Sequence, residues 1–178
     1  MAWEFSILDW IRASITSPAG DAFFAWLSPL FNQGLPWIAL ALVLLARPKT
    51  RRLGVCVAGA LVLELCVVTF GLKPLFDRVR PCALLPDSAV LIPRPVGKSF
   101  PSGHTASSFA VVGALWFCRS RLVWPGLVLA ALVAFSRLYL YVHFPTDVAA
   151  GVLVGLACGW AAVRLYARAE KRTLKKKL

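Results

Sequence analysis

The sequence predicts an all-α integral membrane protein, a helical bundle with about six transmembrane helices formed by residues 1–178 as one domain. Three observations predict it. The chain is 59% hydrophobic and only 16% charged, with a mean hydropathy of +0.72, whereas soluble domains carry roughly 45–50% apolar residues. Its apolar residues fall in runs approaching the roughly 20 residues a helix needs to cross hydrocarbon. Its 20 Lys and Arg outnumber 8 Asp and Glu, and the excess of +12 collects between the apolar runs and at the C-terminus. That distribution sets membrane topology and argues against a nucleic-acid partner.

Residues 1–46 are expected to hold interfacial or spanning helices. "FSILDWIRASI" mixes Trp, Ile and Leu with Asp9 and Arg12, as a helix lying in the membrane interface does. "AFFAWLSPLF" (22–31) and "LPWIALALVLLA" (35–46) are apolar but short, and the intervening "NQG" is a turn or break. This part therefore crosses once as a broken span or twice as short tilted helices. The opening residues lack a basic stretch followed by a sustained apolar run, so they do not read as a cleavable signal peptide. Four clearer runs follow within the core segment 53–166, at residues 53–72, 105–118, 122–141 and 148–166. Residues 167–178 are a basic cytoplasmic tail. Five cysteines without a CxxC pair predict neither a disulfide framework nor a zinc site. Glu64 lies within an apolar run, where an ionisable group is costly and needs a partner; an interhelical hydrogen bond is the preferred reading.

Lys and Arg in short loops favour the cytoplasmic side. "RPKTRR" (47–52), "RSR" (119–121) and the tail would all lie there. Counting spans outward from them brings residues 73–104 and the turn at 142–147 together on the opposite, outward face. Three clusters of reactive residues occupy that face.

In "KPLFDRVRP", Lys73 and Arg80 are seven residues apart, two helical turns, so both face one spot if the helix persists past Pro74. Snorkelling of the two cations to lipid headgroups is the alternative. In "PSGH", Ser102 is a strong N-cap residue, and Gly103 and His104 open a helix whose free N–H groups and dipole attract an anion. The alternative is a simple cap beside an interfacial histidine. In "SRLYLYVHFPTD", Arg137 sits at the end of one span, His143 in a turn, and Asp147 in the first turn of the next helix after Pro145. Asp147 can orient one imidazole nitrogen of His143 and leave the other as a nucleophile, while Arg137 can clamp two phosphate oxygens. Alone, Arg137 could equally be an anchor and Asp147 an N-cap.

Together these stretches resemble the signature motifs of the type 2 phosphatidic acid phosphatase superfamily. Lys73, six residues, then Arg80-Pro81 forms the first. Pro101-Ser102-Gly103-His104 forms the second, and Ser136-Arg137, five residues, His143, three residues and Asp147 the third. The chain's small size is similar to that of bacterial lipid and polyprenyl phosphate phosphatases. The resemblance implies that His143 attacks phosphorus to form a phosphohistidine, Asp147 orients it, and His104 protonates the leaving oxygen and later activates water. It implies that Lys73, Arg80, Ser102, Gly103 and Arg137 hold the phosphate, with no metal and no cofactor.

A site at headgroup level implies a lipid phosphate substrate in a cell membrane, with the active site facing the periplasm or exterior. The loop 82–99 carries Arg94 and Lys98, either for a second phosphate or as an ordinary interfacial connection whose basic residues touch headgroups, and undecaprenyl diphosphate is the first expectation. Phosphatidylglycerophosphate, phosphatidate and lipid A phosphate are the alternatives. A protein that binds or flips lipid phosphates without chemistry is a reading of a different class.

Overall fold

Helices form wherever apolar side chains recur at helical spacing, and the breaks fall at Pro, Gly and polar clusters. The computed structural model describes residues 2–86 and 90–175. Residues 1, 87–89 within the 82–99 loop, and 176–178 at the end of the basic tail lie outside the described residues. Seven helices result: α1 (Ala2–Ser14), α2 (Pro18–Leu30), α3 (Leu35–Ala46), α4 (Arg51–Leu75), α5 (Gly103–Phe117), α6 (Val123–Tyr139) and α7 (Pro145–Lys175). The all-α class expected from the sequence is the one observed.

α1 is amphipathic. Trp3, Ile7 and Trp10 form its exposed stripe, while Glu4, Leu8 and Ile11 are buried on the other side. α2 and α3 are the two short apolar segments flanking "NQG", and they meet there with a bend of 51°. By length and hydropathy, α4 and α7 can each cross a membrane alone, and the bent α2–α3 pair makes a third span. α5 and α6 have only 15 and 17 residues, about 22–26 Å of rise. Most of α5 is buried inside the bundle, so it need not match the hydrocarbon thickness itself. The expected six crossings are therefore an approximate count.

The most extensive pairing is between α5 and α7. A Cβ added to Gly155 would come within 2.4 Å of the Ala106 carbonyl oxygen, and one on Gly159 within 2.6 Å of the Ala110 carbonyl. Glycine every fourth residue lets the α7 backbone lie directly on α5, the small-residue packing that holds helices together where lipid supplies no hydrophobic contrast. The outside of the bundle is the reverse, with Trp26, Leu42, Phe70, Trp116, Trp124, Val128 and Leu153 exposed. A surface so apolar suits contact with lipid.

α7 continues through most of the basic tail, so the tail is a helical extension and not a separate strand of chain. There Arg52 pairs with Glu170 at 3.7 Å and lies 5.5 Å over the Tyr166 ring. This joins the basic 47–52 turn and the tail at one end of the bundle. Residues 76–86 and 90–102 and the turn after α6 gather at the other.

Gly155→Val, which must push α5 and α7 apart, is expected to cost about 3 kcal/mol of stability. Gly59→Ala, whose added carbon would meet only Ala162 Cβ at an ordinary 3.6 Å, is expected to be tolerated. Thermal unfolding of the two variants in detergent checks the contrast.

Candidate active site

The site begins with an irregularity in α4. Over Cys66–Leu72 the helix widens to a π turn, in which Lys73 N–H donates to the Val68 carbonyl five residues back. Such a turn rotates everything beyond it relative to a regular helix. The helix then ends at Leu75, and Arg80 lies in extended backbone at φ −75°, ψ 146°. The expected two-turn helical relation between Lys73 and Arg80 is therefore corrected. Pro74 is tolerated in the short stretch Lys73–Leu75, but the helix does not persist to Arg80, and a loop brings it back. Lys73 Nζ lies 3.7 Å from where a Cβ on Gly103 would stand, so the first cation is over the start of α5.

Ser102 occupies the N-cap position of α5 in extended backbone but makes no side-chain capping bond. The expectation that it caps is corrected. Its hydroxyl instead accepts from Thr105 Oγ1 at 3.0 Å, and its N–H donates to the Asp147 carbonyl at 3.1 Å. The first-turn N–H groups thus lack the usual side-chain acceptor, which leaves them for an anion. His104 Nε2 meets Asn32 Oδ1 at 3.2 Å. Because an amide oxygen only accepts, that nitrogen carries the proton in neutral His104.

His143 sits in the turn between α6 and α7, almost fully buried. Its Nε2 is 2.9 Å from Arg80 Nη1, and its Nδ1 is 3.5 Å from Asp147 Oδ2. The arginine can only donate, so Nε2 holds a lone pair and Nδ1 holds the proton. That proton points at Asp147 and also at Ser99 Oγ, 3.4 Å away. Ser99 in turn donates to Asp147 Oδ2 at 2.5 Å, as does the Phe144 N–H at 2.9 Å. Arg80 is held by the Gly97 carbonyl at 3.0 Å and the Val142 carbonyl at 3.2 Å. Arg137 is buried too, and its Nε and Nη2 both donate to Ser136 Oγ at 3.0 and 2.8 Å. Ser136 therefore fixes the plane of the fork that the sequence placed at the end of α6.

The sequence-predicted residues Lys73, Arg80, Ser102, Gly103, His104, Arg137, His143 and Asp147 all fall at this end of the bundle. Arg94 and Lys98 do not join them. Arg94 Nη2 donates to the Leu85 carbonyl at 2.5 Å, and Lys98 forms an ion pair with Asp77 on the surface. Ser99, Asn32 and Arg78, by contrast, enter the site without having been expected. Arg78 Nη1 is 2.6 Å from Asp147 Oδ1.

Burial pushes the His143 pKa down to about 4 from an ordinary 6.5, Asp147 opposing the shift and Arg80 adding to it. The ring is thus neutral at neutral pH. Since the folded form resists the proton that the unfolded chain accepts, stability present above about pH 6.5 is lost as the pH falls toward about 4.

Residues 53–171 match the family model described as the PAP2 superfamily. The undecaprenyl-diphosphatase of Sulfolobus acidocaldarius is 28% identical over 136 residues, 76% of this chain and 66% of that protein. This chain thus spans just under two thirds of its length. The decaprenylphosphoryl-5-phosphoribose phosphatase of Mycobacterium tuberculosis is 38% identical over 148 residues, 83% of this chain and 81% of that protein. The crystal structure of Aquifex aeolicus LpxE superposes with a TM-score of 0.78 at 29% identity, covering 92% of this chain and 96% of that one.

Two outcomes follow from the geometry. Ser99→Ala, which removes a donor from a buried carboxylate, is expected to cost about 2 kcal/mol in detergent unfolding. His143→Gln is expected to flatten the loss of stability between pH 6.5 and 4, measured as the unfolding midpoint against pH.

Proposed function

The chain belongs to the PAP2 superfamily of phosphatases, and from that premise we propose that it hydrolyses a lipid phosphate through a phosphohistidine on His143. One observation carries the reading. His143 Nε2 lies 2.9 Å from Arg80 Nη1 while Nδ1 faces Asp147, so a phosphoryl oxygen accepting from Arg80 brings phosphorus against the imidazole lone pair.

In the first step Nε2 bonds to phosphorus and the phosphorus–oxygen bond to the lipid breaks. The leaving oxygen takes its electron pair and receives a proton from His104, which enters the step as the imidazolium that the negative charge of the bound phosphate favours. The imidazole becomes positively charged, and Asp147 stabilises that charge through Nδ1–H. In the second step water attacks phosphorus, His104 takes its proton, and the N–P bond breaks to free inorganic phosphate and neutral His143. Lys73, Arg80, Arg137, the Ser102 and Gly103 backbone and the α5 N-terminus surround the phosphoryl oxygens, charge that is fixed before the reaction begins. Gly103 has no side chain to stand between Lys73 and that group. All the cations in this scheme belong to the chain, so the reaction we propose is independent of metal.

For the substrate we propose a polyprenyl phosphate, undecaprenyl diphosphate first. Support comes from the names of the Sulfolobus and Mycobacterium relatives, both of which act on long polyprenyl groups. For the diphosphate, support comes from the names of the Sulfolobus acidocaldarius and Bacillus subtilis undecaprenyl-diphosphatases. The site faces outward in the cytoplasmic membrane in this reading, because the basic turns and tail occupy the opposite end.

Phosphate release from purified protein on undecaprenyl diphosphate, phosphatidylglycerophosphate, phosphatidate and lipid A phosphate tests the proposal. Activity retained in EDTA, highest on the polyprenyl substrate and abolished in His143→Ala, is expected. Asp147→Asn is expected to lower kcat by about a hundredfold or more with little change in KM. A wild type silent on every lipid phosphate would instead support binding without chemistry.

A further inference from the structure

Asp147 carries a contradiction. To stabilise positive charge on His143 it must present negative charge, yet Arg78 lies 2.6 Å from its Oδ1. An ion pair of that closeness, with the carboxylate fully buried, would cancel the field on the imidazole.

The cancellation is met from α1. Arg78 Nη2 donates to Glu4 Oε2 at 2.5 Å, on the side of the guanidinium away from Asp147. Glu4 is itself almost fully buried. Its other oxygen accepts from Thr146 Oγ1 at 2.6 Å and from Thr146 N–H at 3.4 Å, and Thr146 Oγ1 accepts from Arg78 Nη1 at 2.6 Å. The guanidinium rests 4.1 Å over the Phe144 ring, and Phe5 of α1 packs edge-on against the same ring. Two carboxylates share one cation, so the cluster of Glu4, Arg78 and Asp147 retains a net charge of −1 beside His143.

From this geometry we infer that Glu4 and Arg78 are positioning residues for the reaction: Glu4 shares the charge of Arg78 with Asp147, so that the cluster keeps the negative charge that His143 needs. The inference rests on the proposed phosphohistidine chemistry for its catalytic consequence. It also gives α1 a task beyond lying at the interface. Further contacts fix the helix in place, since Asp9 Oδ1 accepts from the Tyr141 Oη hydroxyl at 2.7 Å and Arg12 lies 5.8 Å over the Tyr141 ring. The other charged groups near the His143 ring are Arg80 and Arg137, with His104 close by.

The test reads the His143 imidazole directly, by NMR titration of the full-length protein in detergent, with His104→Gln used to assign the two histidines. Glu4→Gln keeps the shape and an acceptor for Thr146 but removes a negative charge, and is expected to lower the His143 midpoint by about one unit. With substrate, kcat is expected to fall about tenfold, with KM changed less than twofold. Glu4→Asp keeps the charge and is expected to restore most of kcat. Arg78→Gln leaves two carboxylates unopposed and is expected to move the midpoint up, the opposite sign. A folded Glu4→Gln protein with an unmoved midpoint would overturn the inference, as would an Arg78→Gln midpoint that falls or stays. A Glu4→Asp loss equal to that of Glu4→Gln would also overturn it, because packing alone would then explain the effect. The titration needs no substrate. Opposite shifts in a protein inactive on all lipid phosphates would keep the network and reject the phosphatase reading, and an active wild type with unmoved midpoints would do the reverse.

Discussion

A buried carboxylate is the constraint on which the outer end of the bundle depends. Asp147 has no solvent exposure, so both of its oxygens need partners from the chain. They come from far apart: Arg78 after α4, Ser99 before α5, and Phe144 and His143 in the turn before α7. The Asp147 carbonyl adds the Ser102 N–H. Between Leu75 and Gly103 the described chain forms only a short 3-10 turn at Pro81–Leu84, so hydrogen bonds to one residue fix a long loop that regular structure does not. The same bonds set the imidazole and the N-terminus of α5 relative to one another, and Arg80 joins them through His143 and the Gly97 and Val142 carbonyls.

The rest of the bundle makes this placement rigid. α5 and α7 approach as closely as their glycines and alanines permit, and both begin in the site, Gly103 at one N-terminus and Pro145 at the other. A shift along that interface would move Ser102 against Asp147. Close packing inside and a Trp-rich exterior outside thus serve one end, holding two helix starts in register while the surface meets lipid.

Much of this was legible in the sequence, and the reasons are specific. Hydropathy marked the all-α membrane class, and the basic runs at 47–52, 119–121 and the tail marked the end opposite the reactive clusters. Residue types with few structural uses in lipid, such as His143, Asp147 and Arg137, stood out against apolar runs. The relation of Lys73 to Arg80 did not follow from helical periodicity, because a π turn and an early helix end intervene, and neither leaves a mark in spacing. Ser102 was legible as the residue before a helix but not as the acceptor of Thr105. Ser99, Asn32 and Glu4 carry ordinary side chains whose partners lie 48, 72 and 74 residues away, and one sequence holds no sign of such pairings. Arg78 was hidden differently, inside a motif whose other cations drew the reading toward phosphate, when its own contacts are to carboxylates. Arg94 and Lys98 were legible as loop cations, but their contacts to the Leu85 carbonyl and to Asp77 were not.

The central claim is that His143 itself takes the phosphoryl group. Rapid mixing with undecaprenyl diphosphate labelled in its terminal phosphate, followed by a quench within one turnover and peptide mapping, tests it most directly. Label is expected on the peptide containing His143, labile in acid and stable in alkali, and absent from the His143→Ala protein. Single-turnover phosphate release with no labelled protein at any quench time, or label on a serine that survives acid, would contradict it.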